Sequence, residues 1–235
     1  MAEEKTNQNK VASYIGKVLR DNFGKGPTSV HVTLDFPFLI IHLRDFLAPM
    51  EAILIQQKEV KRVEETRDVL MEQLKLEIHL QLQSIVGIDI KELYFDWNLV
   101  KKTGMIIGIL DENTNSSDSK WPGHLNLKQF NKRVREMSDW GQKIPEETES
   151  FWLNDRIIVI KRTGIFVQIE KELINHGFTE ELKLVKRPME RRLAQQAHLE
   201  QFLDRSIVET FVDWDFNGDK GYMILVLRGN QQKQE

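Results

Sequence analysis

The sequence predicts an α+β fold that occurs twice in one chain, each copy being a helix-strand-strand-helix-strand-strand unit with a mainly antiparallel sheet. The motif Asp-Trp-Asn-Leu at 96–99 recurs as Asp-Trp-Asp-Phe at 213–216, 117 residues further on. An apolar run follows each motif at the same separation, at 105–110 and at 222–227. Residues 113–123 are rich in Asn, Ser, Asp, Pro and Gly, which is the composition of a linker.

These observations divide the chain into a first copy at 8–112, a linker at 113–123 and a second, diverged copy at 124–229. The same separation carries Gly24 onto Gly141 and Ile40 onto Ile157, so we expect the copies to align without a gap. Two copies of one fold usually dock through equivalent surfaces, as the subunits of a homodimer do. We therefore predict a pseudo-twofold arrangement.

The elements of the first copy follow from its hydrophobic spacing. Apolar residues recur at helical spacing ahead of Gly24, which is a stop signal for a helix. Apolar and polar residues alternate after Pro27, which is the period of a half-buried strand. Pro49 suits the first turn of a long helix, which is either one helix or two with a break near 56–59. The predicted elements are a helix over 8–23, strands over 30–34 and 38–43, the helix over 49–85, and strands over 88–97 and 105–110.

The second copy follows the same plan with departures. Glu146, Glu147 and Glu149 stand where its first strand should begin, so we expect that strand to start late, near 150–153. Pro188 should break the long helix, because proline lacks a backbone donor and clashes with the preceding turn. Basic residues gather nearby, and we interpret them mainly as a solvated helix face, with a phosphate or acidic-partner site as the alternative: Lys183, Lys186, Arg187, Arg191 and Arg192.

Composition excludes several classes of protein. The 235 residues include no cysteine, which excludes disulfide frameworks, thiolate catalysis and cysteine-based zinc sites and favours a cytoplasmic location. The net charge of −3 does not favour a nucleic-acid partner. The polar N-terminus does not resemble a secretory signal, and the apolar runs are far shorter than the roughly 20 residues that span a bilayer. A role at a membrane would therefore depend on a partner.

The first copy also carries the motifs of a known family. They are Asn22-Phe23-Gly24-Lys25-Gly26-Pro27 before an alternating strand, Leu-Ile-Ile-His-Leu in the return strand, Phe46-Leu47-Ala48-Pro49 at the start of the long helix, and Thr103-Gly104 before the last strand. Together they resemble the MpsC-like family, which is named as component C of a sodium-translocating, membrane-potential-generating system in bacteria. The resemblance implies an accessory role beside a membrane complex that translocates ions or bicarbonate. The second copy departs from these motifs at 141–145, where it has Gly-Gln-Lys-Ile-Pro.

The loop at 24–27 has two interpretations. Glycines at positions 24 and 26 free backbone N–H groups to face an anion, and Lys25 adds a positive charge, as in a phosphate cradle. A nucleotide P-loop is excluded, because Gly-Lys is followed by Gly-Pro and the loop comes after a helix and before a strand. The loop is then either a helix cap with a turn or a contact for a ligand or partner. In the second case the contact residues are Gly24, Lys25, Gly26 and Arg44.

Other constellations give no catalytic or metal site. The six histidines show no pair four residues apart with a carboxylate between them, so we predict neither a metal nor a cofactor. Asp96 and Asp213 invite comparison with paired catalytic carboxylates, but as repeat equivalents next to Trp97 and Trp214 they are interpreted as holding a strand end or turn. We expect both tryptophans to be buried. Neither a nucleophile elbow nor a Rossmann glycine motif is present.

The function predicted from the sequence is non-catalytic: binding, scaffolding or regulation, as an accessory to a bacterial membrane system for ion or bicarbonate translocation. A protein partner is expected, and self-association stays open. Two alternatives remain. One is an enzyme with an atypical site at 24–27 and Arg44, and the other is a sensor that binds a small anion between the repeats.

Overall fold

The computed structural model of this chain describes residues 2–111 and 121–229, which form two compact units within residues 1–117 and 118–235. Most of the expected linker at 113–123 lies outside the described residues. The α+β fold and its repeated helix-strand-strand-helix pattern are confirmed. The pseudo-twofold arrangement of the two units stays a prediction.

The first unit is a four-stranded antiparallel sheet with three helices. The strands lie in the order β1-β2-β4-β3, so β1 and β3 form the edges of the sheet. The region 49–85, predicted as one long helix or as two with a break near 56–59, forms two helices. The elements are α1 (Ala2–Phe23), β1 (Ser29–Asp35), β2 (Phe38–Arg44), α2 (Pro49–Gln56), α3 (Val60–Val86), β3 (Ile90–Asn98) and β4 (Thr103–Leu110).

The second unit repeats this topology, with strand order β5-β6-β8-β7 and all neighbours antiparallel. A short 3-10 helix, Leu199–Phe202, takes the place of the last turns of the long helix. The remaining elements are α4 (Leu127–Gly141), β5 (Glu147–Asn154), β6 (Ile157–Thr163), α5 (Gln168–Asn175), α6 (Thr179–Gln196), β7 (Ile207–Asp215) and β8 (Lys220–Leu227).

The core of each unit lies between its sheet and its helices. The apolar stripe of α1 packs into the core, with four of its residues buried and Tyr14 partly buried, and one face of α3 packs into the same core. Trp97 and Trp214 have 1% and 4% of their surface exposed, so their predicted burial is confirmed. A side chain at Gly104 would place its Cβ 2.6 Å from the Trp97 ring, so this glycine makes room for the indole.

The expectation that the copies align without a gap is wrong. Ile40 pairs with Ile107, and Val159 pairs with Ile224, the counterpart of Ile107, so Ile40 corresponds to Val159 and not to Ile157. Equivalent residues of the two copies are 119 positions apart in the sequence from β2 through the start of the long helix. They are 117 positions apart in the last two strands. The irregular pairing of β5 between Trp152 and Asn154, which inserts an extra residue, is one place where the copies differ in length.

Two expectations for single elements of the second copy are also wrong. Pro188 does not break its helix, because α6 continues to Gln196 and is fixed to the core by buried charged residues on both sides of the proline. The first strand starts at Glu147, three residues before the expected 150, since Glu149 is held by Lys161 of the neighbouring strand at 3.0 Å. Both cases are tertiary contacts overriding a local preference.

Candidate functional site

The predicted contact residues lie at one end of the first unit's sheet, where the loops before β1, after β2 and before β4 meet. The N–H of Thr28 donates to the carbonyl of Arg44 at 2.9 Å, which ties the first loop to the end of β2. The N–H of Phe46 donates to the carbonyl of Lys102 at 2.7 Å, which ties the second loop to the third. Asp45 and Lys102 both adopt left-handed backbone conformations at these corners.

The two glycines of the loop have different structural roles. Gly24 follows the last residue of α1 with φ of +73°, and its N–H donates to the carbonyl of Arg20 at 3.0 Å, which is a helix C-cap. Gly26 lies directly on α1, because a Cβ at this position would be 2.8 Å from the carbonyl oxygen of Gly16. The helix-cap interpretation is therefore correct for Gly24, and it leaves the side chain of Lys25 free for another role.

Lys25 and Thr28 both contact Asp45. The Lys25 ammonium lies 3.7 Å from Asp45 Oδ2, and the Thr28 hydroxyl donates to the same oxygen at 2.7 Å. The Thr28 hydrogen bond and the charge of Lys25 together lower the pKa of the Asp45 carboxyl. The Lys25 side chain is 39% exposed, so it is not buried against the first helix. An anionic group from outside can reach it.

Cations outnumber anions at this end of the sheet. We call the group Lys25, Arg44, Lys101 and Lys102 the basic end, and Asp45 is the carboxylate that lies among them. The Arg44 side chain is exposed and makes no ion pair or hydrogen bond with any residue in 2–111 or 121–229. Val100, beside the two turn lysines, is 93% exposed. The structure thus brings Lys25 and Arg44 to the same corner, as the sequence analysis proposed.

Sequence reasoning missed an ion pair between Arg67 and Glu51, which holds the loop after β2 next to the basic end. The Arg67 guanidinium is fully buried and donates to both carboxylate oxygens of Glu51, each at 2.7 Å. It also donates to the carbonyl of Phe46 at 3.0 Å and lies 4.5 Å from the centre of that residue's ring. Glu51 in turn accepts the N–H of Ala48 at 2.7 Å. The glutamate three residues after Ala48 was the available signal, since its carboxylate forms the half of a capping box that accepts the N–H of the N-cap residue.

The corresponding end of the second unit has a different distribution of charge, with its carboxylates paired to lysines. Gly164, with φ of +62°, stands where the first unit has Asp45, and Asp219 stands where it has Lys102. Asp219 accepts the N–H groups of Ile165 and Phe166 at 2.7 and 2.8 Å and pairs with Lys171. The carboxylate of this corner therefore comes from the turn before the last strand, and the lysine of that turn is lost.

The second unit also uses buried charges inside its core. Arg162 pairs with Glu190, which accepts the Trp214 indole N–H at 3.1 Å, and Lys186 lies 2.9 Å from Glu170. Burial raises the pKa of Glu190, but Arg162 and Lys186 outweigh it and hold that pKa below its ordinary value. Burial lowers the pKa of Lys186. The interpretation of Lys186 and Arg187 as a solvated helix face is wrong, since both are buried.

Asp96 and Asp213, which are equivalent residues of the two units, have a local structural role. Asp96 accepts the N–H of Trp97 at 2.8 Å, and Asp213 accepts that of Trp214 at 2.9 Å, so each fixes the strand next to its tryptophan. This agrees with the interpretation given for them above. Within the described ranges, no three histidine or carboxylate side chains are grouped in a way that could hold a metal ion.

Among known protein families, one matches the unit that contains the basic end. The model of a family described as "Na+-translocating membrane potential-generating system (MpsC)" matches residues 3–112. Residues 3–112, just under half of the chain, thus resemble the MpsC family. No curated protein and no solved structure matches the chain.

The MpsC match ends two residues after β4, so it includes the whole basic end and all of α1 except Ala2. The family description links these residues by name to a membrane system. Across residues 2–111 and 121–229, every helix is too short or too polar to cross a bilayer.

Proposed function

We propose that this chain is a non-catalytic binding component that works beside a sodium-translocating, membrane potential-generating system, as the MpsC match of its first unit suggests. Its basic end contacts an acidic group of a partner. The observation that carries the proposal is the charge difference between two equivalent corners. The fold is the same in both units, yet Lys102 is replaced by Asp219 and Asp45 by Gly164. A requirement of the fold does not account for this difference, since both corners are stable scaffolds.

The geometry of Lys25 and Arg44 supports a binding role. Lys25 lies in the loop before β1, and Arg44 is the last residue of β2, whose carbonyl accepts the N–H of Thr28 from that loop. Binding residues are commonly found where a rigid scaffold positions a loop. The ion pair of Lys25 with Asp45 is exposed and 3.7 Å long, so it costs little to exchange Asp45 for a partner's carboxylate or phosphate.

The strongly perturbed groups of the second unit also support a non-catalytic function. Glu190 and Lys186 have 1% of their surface exposed, and they are joined to Arg162, Glu170 and Trp214 within the core. Perturbed pKa values often mark catalytic sites, but structural ion-pair networks produce them too. These groups hold α6 against the sheet and are closed to a substrate.

The second unit has a different role from the first. We propose that 124–229 is a diverged second MpsC-like copy, that 8–112 is the first, and that 113–123 joins them. Equal strand orders in the two sheets support a common origin. The second copy then contributes scaffold, while contact with the partner falls to the first copy. The chain stays in the cytoplasm and reaches the membrane through that partner.

The experiment compares full-length variants in pull-downs from the native host. Lys25→Ala combined with Arg44→Ala is expected to reduce recovery of the specific membrane partner at least about tenfold, as the loss of charge-assisted contacts would. The matched control is Lys143→Ala with Lys128→Ala, two lysines of the second unit, which should leave recovery unchanged. Full recovery with the first double variant contradicts the proposed contact.

A thermal-shift screen separates this proposal from its two alternatives. Nucleotides, inorganic phosphate and bicarbonate are tested against the full chain, because a ligand at 100 times its dissociation constant stabilises by about 2.7 kcal/mol. No shift is expected from any of them. A shift that Lys25→Ala abolishes would instead indicate a small-molecule site at the basic end.

A further inference from the structure

An open groove of about 390 Å³ runs between α1 and the beginning of β1. One face of the helix forms its first wall, with Ala12, Gly16, Lys17 and Arg20, and residues 27–30 form the second. Gly16 has open space where a Cβ would stand, and Gly26 packs on its carbonyl. The floor is therefore backbone, and a chain lying in the groove can approach it closely.

The helix wall of the groove carries two available cations. Lys17 and Arg20 are exposed, one helical turn apart, and neither side chain forms an ion pair or hydrogen bond with residues 2–111 or 121–229. The opposite wall carries the hydroxyl groups of Thr28, which donates to Asp45, and of Ser29, which lies 3.4 Å from a ring nitrogen of His31. An occupant with negative charges at regular spacing would satisfy the helix wall.

The second wall continues into a sheet edge. β1 pairs with β2 alone among the described strands, and it is seven residues long. Its sequence, Ser-Val-His-Val-Thr-Leu-Asp, contains no lysine and no proline, the residues that proteins commonly use to block strand addition at an edge. An extended peptide can hydrogen-bond to such an edge as an additional strand.

The same place in the second unit lacks these properties. The buried stripe of α1 recurs 119 residues later in Phe130, Val134, Met137 and Ser138, which puts Glu136 at the place of Lys17 and Asp139 at that of Arg20. Asn131 replaces Ala12, and the Ser150 hydroxyl of the edge strand donates to it at 2.6 Å. The charge is reversed there, and a side-chain contact joins the helix to the strand.

We propose that the groove binds an extended acidic segment of a protein, which adds to β1 as a fifth strand and places alternate carboxylates against Lys17 and Arg20. This inference rests on the proposed binding function and names the form of the partner. A concave site between a helix and a strand edge suits a single chain, whereas a flat membrane surface would meet only its rim. The successive side chains of a strand point to opposite sides, so alternating acids would all face α1.

The test uses the full chain and a synthetic eight-residue peptide of alternating Thr and Glu, with binding measured by calorimetry at low salt. Two further peptides are methylated on alternate backbone nitrogens, one on the odd residues and one on the even residues. A strand donates hydrogen bonds to one neighbour through alternate residues only. One methylated peptide should therefore bind like the parent, and the other should lose at least about tenfold in affinity. Equal binding of the two methylated peptides overturns strand addition.

The cations are tested with the same peptide. Lys17→Ala combined with Arg20→Ala should weaken binding at least about tenfold, while Lys128→Ala with Lys132→Ala, which removes the same charge from the first helix of the second unit, should not. Equal effects of the two double variants overturn the assignment of the groove. Stronger binding to vesicles of anionic lipid than to the peptide overturns the choice of a protein segment.

Failure of this inference is distinguishable from failure of the proposed function. The pull-down with Lys25 and Arg44 variants reports contact with a partner at the basic end, whatever form that partner has. If those variants lose the partner while the peptide fails to bind, the binding function stands and the strand-addition inference is wrong.

Discussion

Arg67 and Glu51 form a bidentate ion pair that joins α3 to the first turn of α2, with both N–O distances at 2.7 Å. The same positions in the second unit, 119 residues later, hold Lys186 and Glu170, which make a single contact at 2.9 Å. Each pair lies beneath the corner that follows the second strand. The buried cation therefore positions the helix that starts at that corner, and in the first unit this is the corner next to the basic end.

Arg67→Met is expected to destabilise the first unit by about 3 kcal/mol, because it leaves the Glu51 carboxylate without its buried partner. Arg67→Lys, which installs the residue of the second unit, should cost less, since one charge contact survives while the fork geometry is lost. Urea unfolding followed by circular dichroism measures both. Equal losses for the two variants would contradict a role for the charge.

Arg162 and Glu190 replace an apolar pair of the first unit. The residues 119 positions earlier are Leu43 and Met71, both buried. Removing one member of a buried ion pair leaves an uncompensated charge, whereas replacing both with apolar residues is often near neutral.

Arg162→Leu and Glu190→Met should each destabilise the second unit by about 3–5 kcal/mol, and the double variant should be more stable than either single variant. A double-mutant cycle in urea measures the coupling energy. Additive losses would show that the two residues act independently.

The Trp97 indole occupies the space beside Gly104, because a Cβ at position 104 would lie 2.6 Å from the indole. Gly104→Ala is therefore expected to destabilise the first unit by about 1–3 kcal/mol through overpacking. Adding Trp97→Leu should recover part of that loss, although Trp97→Leu alone is destabilising. The control is Gly123→Ala, where a Cβ would meet open space. A Gly104→Ala variant as stable as this control would contradict the close packing.

Hydrophobic spacing was sufficient to predict the fold class, because it depends on periodic patterns within single elements. The recurrence of the Asp-Trp motif was sufficient to predict the repeat and the equivalent burial of Trp97 and Trp214. The continuous α6 was not predictable, since the contacts that hold it across Pro188 come from Arg162 and Glu170 in other elements. The extra residue in β5 was not predictable either, because a bulge leaves no periodic signal. Lys25 and Arg44 could be proposed from the loop, and the separation of 117 already places Asp219 opposite Lys102. The replacement of Asp45 by Gly164 was not predictable, because it depends on the separation of 119 that the strand pairing shows.

Asp219 makes the stability of the second unit depend on pH. Burial raises its pKa, but hydrogen bonds from Lys171 and from the N–H groups of Phe166 and Ile165 outweigh burial and hold the pKa below the ordinary value of 3.8. A carboxyl with a lowered pKa in the folded state contributes stability above its ordinary pKa and loses it as pH falls through the folded value. The second unit should therefore lose stability progressively as the pH falls below about 4.

Asp219→Asn tests this dependence, because asparagine keeps an acceptor oxygen for the two N–H groups and tolerates the left-handed backbone at φ of +49°. The variant should be less stable than the original chain at pH 7, and the difference should shrink as the pH falls and Asp219 becomes protonated. Asp139→Asn, which neutralises an exposed carboxylate of α4, serves as the control and should run parallel to the original chain. Urea midpoints between pH 2 and 7 measure the effect, and a difference between Asp219→Asn and the original chain that stays constant over this range would show that the charge of Asp219 does not stabilise the corner.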